Sequence, residues 1–277
     1  MKNGHKGQDV ILQEGGMKNT GGCDDGVPQE VTYDIAATTN WILICDNKIL
    51  RGDGLKGVII GKGIWVQGNN AIVQNGTTAG ATQERVWIDH VKVSLIDHQM
   101  MTADAASSKT LTISNSEFDG ETPYSATRDD HHYWTFIIEG PTHLSLLNNY
   151  ICHTSDCSPK PGGLGGTNVF VHAANNYWYS NSGFSFEVQS DAAALIEGNY
   201  SQDSMDPSLH DSKPTGHAFV PTANSQPLCT QYLGRQCVFN TLANSDALTS
   251  QGDNAAAASS MNKRHRVDVN TLSMKVG

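Results

Sequence analysis

Lys160 follows Cys157 by three positions in the run Ser155-Asp156-Cys157-Ser158-Pro159-Lys160, and His98 lies upstream in Ile96-Asp97-His98-Gln99-Met100. An ammonium, a thiol and an imidazole are three groups with reactive potential. Imidazole titrates near pH ~6.5, so His98 suits a general base at neutrality. Lys160 suits the neutralisation of a developing negative charge. A thiolate is a nucleophile, but Cys157 lacks the Cys-His-Asn constellation that would activate it. Two readings of Cys157 stay open: a disulfide partner of Cys152, or an unpaired small residue. Cys229 and Cys237, in "CTQYLGRQC", are close enough to close a short loop, which leaves Cys23 and Cys45 over. Six cysteines permit three disulfides without fixing their connectivity.

Other constellations are weaker. "RDDHHYW" (128–134) gathers Asp129, Asp130, His131 and His132. Neighbours on a strand point to opposite faces, so at most two converge, and a metal site is not expected there. Glycoside hydrolysis needs paired carboxyl groups. No Asn-Thr-Asp or Gly-His-Gly phrase supplies them.

The elements that position these groups are legible in composition and pattern. The 277 residues suffice for one large domain or two smaller ones. Charged residues make up only 17%, and the polar load falls on Asn, Ser, Thr, Gln and Gly, as in turn-rich β proteins. The net charge of −10 argues against nucleic acid or an anionic membrane as partner. No apolar run approaches the ~18 residues of a membrane span. The start "MKNGHKGQDV" has no apolar core, so no signal peptide is visible.

Short alternating runs ending in Asn, Asp or Gly recur along the chain: "AIVQNG" (71–76), "RVWIDHV" (85–91), "TLTISNSEFDG" (110–120) and "LSLLNNYI" (144–151), then "VFVHAANNYW" (169–178), "AALIEGNY" (193–200) and "CVFNTLAN" (237–244). Their spacing of roughly 15–35 residues is that of solenoid coils. Asparagines stacked at such turns would form an amide ladder. An antiparallel sandwich is the alternative, with less need for so uniform a phrase. The expected fold is all-β: a single-domain parallel β-helix over 1–277, with 1–30 as an N-terminal cap or irregular segment. Residues 246–277 are expected as a tail, helical or loose, packing outside.

"VWIDHVKVSL" (86–95), "ISNSEFDGETPYSAT" (113–127), "HHYW" (131–134) and "NNYICHTSDCSPK" (148–160) resemble fungal pectin lyases. So do "HAANNYWYSNSGFSFE" (172–187), "LIEGNY" (195–200) and "CTQYLGRQC" (229–237), in order, over roughly residues 31–245. The resemblance implies a right-handed parallel β-helix of three sheets, secretion, and pectin as partner, with no calcium or other cofactor required and a monomeric state. The implied reaction is β-elimination on methyl-esterified polygalacturonan. It needs a base for the C5 proton and positive or hydrogen-bonding groups for the enolate-like carboxyl. Tyr133 and Trp134 match the family's groove aromatics; Trp87 and Trp178 sit inside strand phrases and read as structural.

The chain departs from the family where the chemistry should lie. Cys157 and His98 stand at positions the resemblance assigns to arginines, and Asp156 replaces a glycine. A family aspartate is missing, along with about one coil of sequence, between "IVQNG" and "VWIDH". Only Lys160 stands unchanged. A thiol cannot replace a guanidinium that grips a carboxyl group. The expectation is therefore a lyase of weakened activity, or a catalytically silent pectin-binding β-helix. His98 as base with Lys160 as electrophile is the alternative route to turnover. The family cysteine at Arg128 is also absent, which leaves Cys23 without that partner.

Overall fold

The computed structural model of the protein describes residues 42–52, 59, 63–74, 85–96, 99–103, 109–122, 125, 127, 129–209 and 216–260, with the backbone of 8–11 and 30–33. His98, Cys23 and Arg128 lie outside these residues.

The chain winds as a right-handed parallel β-helix. Its first wall has eight strands, from Ile49–Arg51 through Ala71–Gln74, Val86–Asp89, Thr110–Ser114, His143–Leu147, Val169–Ala174 and Ala192–Glu197 to His217–Phe219. The second has six: Lys92–Ser94, Glu117–Asp119, Tyr150–Cys152, Tyr177–Tyr179, Tyr200–Gln202 and Thr241–Ala243. The third holds Met101–Ala103, Phe136–Ile138 and Lys160–Pro161. Gln189 N–H donates to Pro161 O (2.9 Å) and Ser158 N–H to Ser185 O (2.9 Å), which carries that wall on towards Phe184–Phe186 and Asp206–Ser208.

Alternation of side chains decides what is inside. Val86, Leu111, Leu144, Val171 and Ala194 share one register column, and Ile88, Ile113, Leu146, Ala173 and Ile196 the next. All ten are buried. Phe118, Ile151 and Trp178 stack in the same way inside the second wall. Stacking like on like gives each coil the interior of its neighbour, so no coil needs a core of its own.

The turn between the first two walls explains the recurrent asparagine pairs. His90, Asn115, Asn148, Asn175 and Gly198 hold φ between +51° and +64°, the left-handed region that Asn and Gly tolerate best. The next residue points inward. Asn149 Nδ2 donates to Asn176 Oδ1 (2.9 Å), Asn176 Nδ2 to Asn199 Oδ1 (3.0 Å) and Asn199 Nδ2 to Asn240 Oδ1 (3.0 Å). Each Oδ1 also accepts the backbone N–H of the asparagine one coil earlier. The expected amide ladder is therefore present, and it satisfies buried backbone donors at the corner.

Two steps break the period. Partners one coil apart are separated by 23 to 33 residues along most of the ladder (Asn176–Asn199 and Ser116–Asn149), but Gln74 and Asp89 by only 15. At that place the resemblance predicts missing sequence. At the other end Asn199 and Asn240 are 41 apart, because the helix Gln226–Leu233 is inserted. "CVFNTLAN" consequently enters the second wall, pairing with Tyr200–Gln202, while His217–Phe219 takes the first-wall position beside Ala192–Glu197.

The outer face of the first wall is covered near its C-terminal end. Phe170, Ala193, Leu195 and Phe219 pack under the helices Gln226–Leu233 and Asn254–Ser260, with Cys229, Leu233, Ala257 and Ala258 completing the layer. Cys229 and Cys237 form a disulfide, as their spacing suggests. Gly234, at φ +72°, ends the first helix inside that loop and donates to Thr230 O (3.1 Å). No helix among the described residues is long and apolar enough to cross a membrane.

Candidate functional site

Cys152 and Cys157 are both free and buried, so the disulfide left open for them is not formed. The reason is directional. Cys152 Sγ faces Asp119 on the second wall, whereas Cys157 Sγ donates to Glu187 Oε2 at 3.3 Å. Cys157 itself sits at φ +55°, at the bend between the second and third walls.

Backbone and core hydrogen bonds fix this bend from below. Trp178, fully buried in the second wall, donates its indole N–H to Ser158 O (2.9 Å). Ser158 Oγ donates to Thr154 Oγ1 (2.7 Å), and Phe136 N–H donates to Cys157 O (2.8 Å). Gly183 allows the next coil to approach: a Cβ there would lie 1.9 Å from Ser155 O. The structural reading of Trp178 thus acquires a reason. Trp87, by contrast, stands 40% exposed on the outer face and donates to Ser114 Oγ (2.9 Å).

Above this scaffold, four polar groups surround Cys157. Lys160, on the third-wall strand paired with Ile137, holds Nζ 3.8 Å from Glu187 Oε1. Gln189 Nε2 donates to the same oxygen at 2.7 Å. Asp156 Oδ1 accepts the Phe184 N–H (3.0 Å). Tyr133 and Trp134 meet edge to face, ring centroids 5.1 Å apart. The groups feel one another electrostatically. Burial, aided by Asp156, Cys157 and Glu187, pushes the Tyr133 hydroxyl up to about 12. Burial, then the charges of Glu187, Asp129 and Asp206, raises the Asp156 carboxyl to about 6 despite the Phe184 hydrogen bond. Burial and Glu187 push the Cys157 thiol well above its ordinary value, so it is a neutral thiol near neutrality. That agrees with reading Cys157 as an unpaired small residue rather than a nucleophile.

The structure thus brings Lys160, Cys157, Tyr133 and Trp134 into one region. It adds two groups that sequence reasoning did not assign to the site. Glu187 closes the quoted phrase "HAANNYWYSNSGFSFE", and Asp156 had been noted only as a departure from glycine. Both are recognisable only once coil register sets Gly183–Glu187 beside Ser155–Pro159. Within "RDDHHYW", His131 Nδ1 lies 3.6 Å from Asp129 Oδ2 and contacts the Asp129 carbonyl, and the His131 N–H donates to Asp129 Oδ1 (3.2 Å). Burial alone would raise the Asp129 carboxyl. Hydrogen bonds from Ser182, Thr127, Ser125 and the His131 N–H hold it down at about 2.

No protein-family model matches the chain. Individual relatives do. The chain is 41% identical over 264 residues to probable pectin lyase F of Aspergillus niger, covering 89% of this chain and 53% of that protein. It is 37% identical to probable pectin lyase F-2 of Aspergillus terreus (90% and 53%) and 36% identical to pectin lyase B of Emericella nidulans (83% and 66%). A solved pectate lyase bound to hexasaccharide superposes with a TM-score of 0.46 at 13% identity, over 80% of this chain and 62% of that one. The chain is homologous to the fungal pectin lyases, and it spans about half the length of the first of these relatives.

Proposed function

We propose that the protein is a secreted pectin lyase-type enzyme that binds methyl-esterified polygalacturonan on the third wall and cleaves it slowly by β-elimination. The observation that carries the reading is Lys160, 3.8 Å from Glu187, in one region with Asp156, Tyr133 and Trp134, and Cys157, where the family resemblance implies an arginine, makes the turnover slow. Lys160 is the group available to meet negative charge developing on the substrate carboxyl. Asp156, with its carboxyl near 6, is a proton acceptor in the same groove. His98, at the other arginine position, is a second candidate base. Loss of one preorganised charge donor lowers turnover by roughly 10²–10³-fold.

Charge also favours the ester. Asp156 and Glu187 face the groove against Lys160, and the whole chain carries −10. A polygalacturonate segment would meet like charge there, whereas a methylated segment brings none. Tyr133 and Trp134 offer ring faces to uncharged sugars.

The neutral thiol at 157 favours a second reading, a pectin-binding β-helix without turnover. Ultraviolet absorbance of unsaturated ends on highly methylated pectin separates the two. A slow rise, abolished in Lys160→Ala and accelerated in Cys157→Arg, is expected. Persistent silence of the parent chain alongside retained pectin binding would leave the non-catalytic reading. Release of reducing ends without unsaturation would overturn the lyase reading in favour of a hydrolase.

A further inference from the structure

Asp119 and Cys152 are register partners on adjacent strands of the second wall and share its outer face. The next residue, His153, would point to the opposite face if the strand continued. It does not continue: His153 adopts φ +53°, a conformation in which His is enriched. The bend returns the imidazole to the side of Cys152. Its Nδ1 lies 3.6 Å from Asp119 Oδ1, and Cys152 Sγ lies 3.7 Å from the same oxygen. One carboxylate oxygen, one sulfur and one imidazole nitrogen therefore all fall within 4.8 Å of one another.

We propose that Asp119, Cys152 and His153 form a binding site for a divalent transition-metal ion of the zinc class. Tetrahedral ligands at Zn–S ~2.3 Å and Zn–N or Zn–O ~2.0 Å stand about 3.3–3.5 Å from one another. The two separations to Asp119 Oδ1, 3.6 and 3.7 Å, need only a few tenths of an ångström of contraction, and the sulfur and imidazole nitrogen, within 4.8 Å, must close further on the ion. The donor set selects the ion: thiolate and imidazole favour zinc-class metals and disfavour calcium and magnesium, which take oxygen.

Within the cluster the thiol donates to Asp119 Oδ1, whereas the imidazole keeps an open coordinating nitrogen. His153 Nδ1 is buried without a hydrogen-bond partner, and its contact with Asp119 is too long to be one. Lys92 Nζ holds Asp119 Oδ2 at 3.1 Å, and Glu121 N–H donates to Oδ1 (3.2 Å), so the carboxylate is oriented from outside the cluster. The Tyr179 ring, 5.7 Å from the imidazole, packs edge to face against it. Three protein ligands leave one position for water. On binding, the thiol loses its proton: the Cys152 S–H breaks, a metal–sulfur bond forms, and one proton leaves to solvent. The ion would tie two neighbouring coils together where the chain enters the 153–160 bend, so it would clamp the segment that carries Asp156, Cys157 and Lys160.

The test uses the full chain, kept reduced, and cobalt(II) and zinc(II) as probes. Expected are one zinc per chain by calorimetry, a rise in melting temperature with zinc but not calcium, and sulfur-to-cobalt charge-transfer absorption. Cys152→Ser should abolish that absorption and weaken zinc by at least about 100-fold. Cys152 is buried, so His153→Gln and Asp119→Asn provide variants at more exposed positions with the same expected loss. Cys45→Ser, at an exposed cysteine, should change nothing. Absorption that persists in His153→Gln and Asp119→Asn, or zinc affinity that all three substitutions leave unaltered, would overturn the site. None of these readouts depends on pectin cleavage, so this site and the lyase reading stand or fall separately.

Discussion

Two glutamates, Glu197 buried and Glu187 half-buried, differ in how completely they are answered. Glu197, under the C-terminal helices, takes Arg235 Nη1 at 2.9 Å and Nη2 at 2.5 Å, with His172 Nε2 at 2.9 Å and the Val238 N–H at 3.0 Å. Burial would raise its carboxyl, yet Arg235 and His172 hold it at about 2. Glu187, in the groove, has a side-chain amide, a thiol and a lysine no nearer than 3.8 Å. Its surplus charge is felt next door, where it helps lift Asp156 to about 6. A carboxylate saturated with donors locks two segments together and exchanges no protons near neutrality. An under-compensated acidic pair leaves a proton mobile in that range, as the proposed elimination would need. The same solenoid thus carries a clamp and a groove, and they differ by their donors.

Removing the clamp should have the largest effect. Glu197→Ala leaves Arg235, His172 and the Val238 N–H without their partner, and should lower unfolding free energy by about 3–5 kcal/mol in denaturant titration. A loss within experimental error would mean that water replaces the carboxylate and the comparison is void. Acid should act in the same direction. Glu197 has a folded value of about 2 against 4.5 when free, so the folded state binds fewer protons between them. Its stabilisation is full above pH ~4.5 and disappears as pH falls towards 2, up to about 3 kcal/mol. Glu197→Gln should lose that part of the acid dependence.

The disulfide closes a loop of separation 8 around Arg235, so a Cys229→Ser, Cys237→Ser double variant should lose about 2.5 kcal/mol by loop entropy. It should also loosen Arg235, which adds to the loss only if the clamp depends on the loop.

The groove should respond with the opposite sign and the smallest size. Asp156 has a folded value of about 6 against 3.8 when free, so the folded state binds more protons between those values. Stability should fall as pH rises through that window, by roughly 1–2 kcal/mol after screening. Asp156→Asn keeps an acceptor for the Phe184 N–H and should flatten the melting temperature between pH 4 and 7. A variant less stable than the parent at pH 7 would show that the charge is structural.

Much of the fold is written locally. Alternation in "TLTIS" and "LSLL" names the buried columns, and the Asn-Asn and Gly-Asn pairs mark the corners because one member must take positive φ and the next must answer backbone donors. The spacing of Cys229 and Cys237 was enough to anticipate their bond. The resemblance also implies an unchanged Lys160 and an arginine at the position of Cys157, an expectation that rests on residue identity and needs no coordinates. Register was not legible. Coil lengths of 15, 23, 33 and 41 residues mean that no sequence offset tells which residue lies above which. Only stacking sets Glu187 against Cys157 and Lys160, sends "CVFNTLAN" to the second wall rather than the first, and turns Cys152 and Cys157 in different directions. The meeting of Asp119 with Cys152 and His153 is of the same kind. It depends on hydrogen bonds between coils and on one left-handed residue, and neither is encoded in the spacing of the ligands.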